Sequence, residues 1–180
     1  MDLIIVDCQN DFVDGSLAAP NGVETVEKIV EFMKSKEDEL QVYYTADSHP
    51  VEHMSFKDNG GIWPKHCVEG TVGADISEEF KNTKFIPDAD NTYLKGRKSE
   101  VEEYSGFNSA NVSGKLLKDA LSDDIYIVGI ASEYCVRETA LAFKEFGKKV
   151  TVIKDLLGYI DYDKHLDNLK DLEDKGIGVI

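Results

Sequence analysis

Apolar residues gather along the chain in short, nearly unbroken runs: LIIVD at 3–7, LQVYYTAD at 40–47, TYLK at 92–95, IYIVGI at 125–130, VTVIKD at 150–155 and IGVI at 177–180. Most are too uniformly apolar for a half-exposed sheet, so the pattern predicts strands buried on both faces. Between them the spacing lengthens. Val23, Val26, Ile29, Val30 and Met33 keep one helical face, as do Leu116, Leu117, Ala120 and Leu121, then Val136, Ala140, Leu141 and Phe143. Gly147 and Gly176 supply helix stops. Strand and helix alternating through short links imply right-handed crossovers, hence a parallel sheet covered by helices on both sides. The one long irregular stretch, 47 to 75, is rich in Gly, His and Asp, and such stretches in compact domains are usually functional. A second loop runs from Gly96 to Ser109.

In open sheets of this kind ligands gather at the carboxyl ends of the strands. Asp7 ends the first run, Asp47 and His49 follow the second, Lys95 ends the third, and Cys135 follows the fourth, so the unusual polar residues share one rim. Cys135 stands in GIASEYCVRETA, where a strand gives way to a helix, and the free amides of a first helical turn favour a thiolate. Asp7, Lys95 and Cys135 together supply a base, a cation and a nucleophile. Asp47, His49 and His66 offer a carboxylate and two imidazoles, a set suited to Zn(II) first and to Fe(II) or Mn(II) as well. Asp-x-His on one strand end puts both side chains on the same side. His53 and Asp58 are further donors in the same stretch. Phe12, Trp63 and Tyr104 leave the same rim in loops, where they can sandwich a flat ring. Cys8 and Cys67 read as packing residues.

Composition narrows the setting. A chain of 180 residues with 42% hydrophobic and 31% charged side chains fits a single domain, residues 1–180, with a sizeable core. A formal charge of -15 repels nucleic acid and anionic membranes, so neither is expected as a partner. The opening residues lack a basic leader and no stretch has transmembrane length, which points to the cytoplasm. Three widely spaced cysteines argue against a disulfide framework and fit a reducing compartment. A homo-oligomer stays open.

The motifs resemble those of the nicotinamidases, also called pyrazinamidases, within the isochorismatase-like cysteine hydrolases. IVDCQNDF is similar to that family's opening segment, TADSHPVEHMSF to its Asp-x-His metal segment, WPKHC to its Trp-Pro-x-His-Cys segment, LKG and YSGF to its lysine loop, and GIASEYCV to its nucleophile turn. The resemblance runs in order to about Gly158. It implies a three-layer α/β/α fold on a six-stranded, mainly parallel, doubly wound sheet, with the first and fourth strands adjacent. It implies Cys135 as nucleophile, Asp7 as proton acceptor and donor, Lys95 as their orienting cation, and Asp47, His49 and His66 as metal ligands, with Ser55 and Asp58 as candidates for a fourth. A cis peptide before Ala131, with the amides of Ala131 and Cys135 aimed at one oxyanion site, is also implied. The expected activity is metal-dependent hydrolysis of nicotinamide, and of pyrazinamide, to the acid and ammonia through a cysteine thioester, in NAD salvage. Its rivals are a related amidase of the same fold acting on another small amide, and a catalytically silent metal or metabolite sensor.

Overall fold

Alternation along the first strand sets the layering. In β1 (Asp2–Val6), Leu3 and Ile5 enter one apolar cluster and Ile4 and Val6 another, and all four are fully buried. Each such side chain contributes about 1.5–3 kcal/mol by leaving water. The computed structural model describes residues 1–180. After β1 come a short α1 (Asn10–Val13), α2 (Gly22–Ser35), β2 (Gln41–Asp47), β3 (Thr92–Lys95), a single turn α3 (Leu117–Ala120), β4 (Asp124–Gly129), a π-helical turn (Ser132–Val136), α4 (Arg137–Glu145), β5 (Lys149–Leu157), α5 (Tyr162–Asp174) and β6 (Gly178–Val179).

On one face, α2 presents Val26, Ile29, Val30 and Met33 to Leu3, Ile5, Val42 and Tyr44. On the other, Val136, Ala140 and Phe143 from the π turn and α4, with Leu172 of α5, cover Ile4, Val6, Ile125, Ile127, Val150 and Val152. The result is a three-layer α/β/α fold on a six-stranded sheet ordered β3-β2-β1-β4-β5-β6, parallel throughout. The six predicted strands stand within a few residues of their expected places. The helix expected over 116–121 shrinks to one turn, because Leu116 and Leu121 on either side are extended. No helix is long and apolar enough to cross a membrane.

The chain winds outward from β1 to β3, then returns to begin the second half at β4, beside β1. The crevice where strand order reverses therefore opens between β1 and β4. Their approach is close: Gly129 has φ +118, and a Cβ there would meet the Val6 carbonyl oxygen at 2.1 Å. A glycine is the residue that permits it.

Candidate active site

Strand register brings the charged residues of the rim together. Asp47 pairs with Lys95 across β2 and β3, and Asp7 directly follows Val6, whose partner on β2 is Thr45. Asp7 leaves the strand with φ 47, a left-handed turn that aspartate tolerates better than most residues. Its Oδ1 accepts from the Thr45 hydroxyl at 2.6 Å, and its Oδ2 forms an ion pair with Lys95 Nζ at 2.8 Å. Lys95 donates to Asp47 Oδ1, and its Nζ lies 3.6 Å from Cys135 Sγ. All of these groups are buried.

Two aspartates on one lysine behave differently. Burial raises the Asp7 carboxyl above its ordinary value, and Lys95 offsets this only in part. Burial would raise Asp47 too, but Lys95 and His49 beside it hold that carboxyl below the usual range. Burial opposes the charge on Lys95, yet Asp47 and Asp7 outweigh it and keep the ammonium charged. Burial also pushes the Cys135 thiol well up, with Lys95 opposing and Asp7 adding to the rise. The thiolate expected from a helix start is thus not the resting form. Cys135 is buried inside the π turn and holds its proton until a base takes it.

The histidines supply the test of a metal set. His49 Nδ1 lies 2.8 Å from the Gly96 carbonyl and His66 Nδ1 2.8 Å from the Pro64 carbonyl. With Nδ1–H donating outward, each ring turns an Nε2 lone pair inward, which is how outer partners orient metal-ligating imidazoles. Ligand atoms of Asp47, His49 and His66 lie within 4.8 Å of one another, so the residues fit a divalent ion. Gly96 is part of the fit, since a Cβ there would strike the His49 ring at 2.4 Å. Asp7, Asp47 and Cys135 also converge, but the Lys95 ammonium stands among them and supplies the positive charge a metal would bring.

The remaining candidate ligands stay outside this cluster. His53 stacks on His49 with ring centroids 4.1 Å apart, and its nitrogens lie 2.7 Å from Ser55 Oγ and 3.0 Å from the Val101 carbonyl. Ser55 is buried, but its hydroxyl is engaged with His53. Asp58 is an exposed carboxylate paired with Lys65 at 3.3 Å, because the turn at 57–59 carries it to the surface.

One pocket collects the rest. Phe12, Trp63 and Tyr104 line it together with Asp47, His49, His66, Ala131 and Cys135. Trp63 Nε1 donates to Tyr104 Oη at 3.1 Å. Sequence reasoning missed Tyr134, whose ring lies 5.1 Å from that of Trp63, and also Leu17, Glu102 and Ile160 in the lining. Tyr134 immediately precedes Cys135, a signal that was available. Gln9 was missed as well: it is fully buried and brackets Asp47, accepting from its amide at 2.8 Å and donating to its carbonyl at 2.8 Å. The Ile130–Ala131 peptide is cis, and the Ala131 amide donates to no group of the protein.

The isochorismatase domain matches residues 2–180. The nicotinamidase of Saccharomyces cerevisiae is 32% identical over 198 residues, covering 92% of this chain and 91% of its own. The nicotinamidase/pyrazinamidase of Mycobacterium tuberculosis is 32% identical over 186 residues, covering 99% and 97%. Among solved structures, the pyrazinamidase of Pyrococcus horikoshii in complex with zinc is similar with a TM-score of 0.84 at 31% identity, covering 99% of this chain and 97% of that one. The yeast nicotinamidase bound to the inhibitor nicotinaldehyde gives a TM-score of 0.86 at 30% identity, covering 99% and 98%.

Proposed function

The chain belongs to the isochorismatase family, and from that premise we propose that residues 1–180 form one catalytic domain that hydrolyses nicotinamide to nicotinate and ammonia. The observation that carries this reading is that Cys135 opens on the pocket that Asp47, His49 and His66 also line, with Lys95 Nζ 3.6 Å behind its sulfur and Asp7 2.8 Å from that ammonium. Asp47, His49 and His66 would hold one divalent ion, with zinc favoured by two imidazoles and a carboxylate. When bound, the ion would supply Lewis acidity toward a ring nitrogen of the substrate.

The pocket aromatics Phe12, Trp63 and Tyr104 hold the pyridine ring while the carboxamide carbon faces Cys135 Sγ. Asp7 accepts the thiol proton, and Lys95 keeps the carboxylate in place while the sulfur attacks. The carbonyl π electrons move to oxygen, where the amides of Ala131 and Cys135 receive them. Collapse re-forms the carbonyl and breaks the C–N bond, and Asp7 returns its proton to the departing ammonia. A thioester remains. Asp7 then deprotonates water, hydroxide adds to the thioester, and the C–S bond breaks as Asp7 passes that proton to the leaving sulfur, which restores the thiol and the carboxylate and releases the acid, ionised in water to nicotinate. A carboxyl raised above the ordinary range is a stronger base toward the thiol proton than a free aspartate. The same chemistry accommodates pyrazinamide, and the product suits NAD salvage in the cytoplasm.

Ammonia release from nicotinamide, pyrazinamide and benzamide, measured alongside the metal content of the purified protein, tests the reading. Nicotinamide and pyrazinamide are expected to turn over. Absence of ammonia from both with a fully metal-loaded protein would overturn it.

A further inference from the structure

The turn that carries Cys135 is held from outside by a polar group that the reaction above does not use. Ser132, directly after Ala131, is fully buried, and three of its atoms are tied down. Its amide donates to the Gly158 carbonyl at 2.7 Å, its carbonyl accepts from Asn168 Nδ2 at 2.7 Å, and its hydroxyl lies 2.7 Å from His165 Nδ1. Asn168 Nδ2 also reaches the Ser132 hydroxyl oxygen at 3.2 Å. His165 and Asn168 project from α5 and are themselves buried. Asn168 is fixed in turn, because its Oδ1 accepts from Arg137 at 2.8 Å, and Arg137 pairs with Asp171 at 2.6 Å. Glu133, the next residue of the turn, accepts from the amides of Ile160 and Asp161 at 2.8 and 2.7 Å, tying the start of α5 to the same place.

A π turn needs such support. Its wide hydrogen bonds, Val136 N–H to the Ala131 carbonyl and Arg137 N–H to the Ser132 carbonyl, are a rare geometry that an unaided chain relaxes toward α. Relaxation would turn the amides of Ala131 and Cys135 away from a common point. We propose that Ser132, His165 and Asn168 are positioning residues that lock this turn so that both amides and the Cys135 thiol meet the same carbonyl group; the proposal rests on the amidase reading above. Burial lowers the His165 pKa, so the ring is neutral near pH 7. Asn168 donates to the Ser132 oxygen, which leaves the Ser132 hydroxyl proton free to donate to a neutral Nδ1.

The test separates tetrahedral from planar ligands. Pyridine-3-carboxaldehyde adds the Cys135 thiol, forming a C–S bond as the C=O π bond breaks and the thiol proton passes to oxygen, so it uses the oxyanion amides. Nicotinate fills the pocket without that bond. Removing one oxyanion donor outright lowers kcat by about 10²- to 10³-fold, so loosening the turn in Ser132→Ala or His165→Leu is expected to lower kcat about 10- to 100-fold. KM and nicotinate affinity should stay within about 3-fold, while aldehyde affinity falls in step with kcat. His165→Asn places an amide near the position of Nδ1 and should restore most of the lost kcat. Should Ser132→Ala fail to fold by circular dichroism, His165→Leu, His165→Asn and Asn168→Leu decide the matter by the same ratio. Unchanged kcat and aldehyde affinity, or parallel losses for aldehyde and nicotinate without rescue by His165→Asn, would overturn the proposal. A wild type that releases no ammonia from nicotinamide sinks the amidase reading alone, since the ratio of aldehyde to nicotinate affinity still reports on the turn.

Discussion

The two halves of the rim, on either side of the crevice between β1 and β4, are built from different materials. The half from β1 to β3 carries charge: Asp7, Asp47 and Lys95 are fully or almost fully buried and held by strand register. The half from β4 to α5 carries a neutral thiol and backbone amides, held by a π turn and by side chains of α5. Buried charges are stable only as a set, because each removal leaves its partner uncompensated in a low dielectric. A neutral turn makes no such demand. The lesson is that loss of rate and loss of stability separate across the crevice: the charged half ties the two together, and the neutral half does not.

The sharpest break in that comparison is Cys135→Ala. In the proposed mechanism it removes the covalent step while leaving no charge stranded, so ammonia release should fall by at least about 10³-fold with the melting temperature little changed. Retention of more than a small fraction of activity would remove Cys135 from the nucleophile's role. Across the crevice, Lys95→Met leaves two buried carboxylates facing each other, and breaking a buried ion set of this kind typically costs about 3–5 kcal/mol. A melting temperature equal to that of Cys135→Ala would mean that rate and stability do not separate across the crevice.

Next in size is Asp7→Asn, which keeps the shape of the side chain but cannot carry a proton, with an expected loss of about 10²- to 10⁴-fold in kcat. Asp7 also sets a sign in the pH profile. Burial raises its carboxyl, so the group takes up its proton at a higher pH than a free aspartate, and a protonated Asp7 cannot accept from the thiol. The acid limb of kcat/KM should therefore lie above the ordinary aspartate value of about 3.9, falling about tenfold per pH unit below it. Metal content followed over the same range distinguishes this limb from metal loss, and a limb at or below the ordinary value would contradict the raised carboxyl.

The charged half was legible in the sequence because it depends on residue type and strand ends. Asp7, Asp47, Lys95 and His49 are unusual polar residues at or just past the close of apolar runs, which the parallel sheet gathers on one rim, and His66 stands out by its type in the long loop that follows the second run. The neutral half was less legible. Cys135 stood out, but Ser132 lies 33 residues from His165 and 36 from Asn168, in ordinary helical and turn sequence, and they meet only because α5 packs against the turn. Nor does residue spacing distinguish a π turn from the first turn of a helix, or show the burial that pushes the Cys135 thiol up against the pull of the helix amides. Asp58 looked available from its type and neighbourhood, and only the turn at 57–59 reveals that it faces solvent.

Withdrawing the metal probes the junction of Asp47 with the imidazoles. A chelator should lower nicotinamide turnover by about 10²-fold without unfolding the protein, as expected for a site whose apolar layers are complete without the ion. Turnover should return on adding Zn(II), Mn(II) or Fe(II). Benzamide, with CH in place of the ring nitrogen, should be a poor substrate even for the loaded protein. If benzamide matched nicotinamide in kcat/KM, the ion would have no part in holding the ring.

The smallest effect, and the finest probe of the division between charge and shape, is Tyr104→Phe. The Trp63 indole is held at its nitrogen by the Tyr104 hydroxyl at 3.1 Å and lies edge-on to Tyr134 at 5.1 Å. Removing only the hydroxyl leaves both rings in the pocket wall and releases one neutral hydrogen bond, worth about 0.5–1.5 kcal/mol. By the same scale, that is a rise in KM of about 2- to 12-fold. Because the hydroxyl acts on Trp63 and not on the reacting carbon, binding of substrate and of transition state should weaken alike, leaving kcat where it was. Trp63→Phe removes the donor together with part of the ring, so it should shift KM at least as far in the same direction, and the double variant should fall short of the sum of the two, since the hydrogen bond is shared. A fall in kcat for Tyr104→Phe at unchanged KM would place the hydroxyl among the groups that touch the reacting atoms, and the aromatic wall could no longer be treated as shape alone.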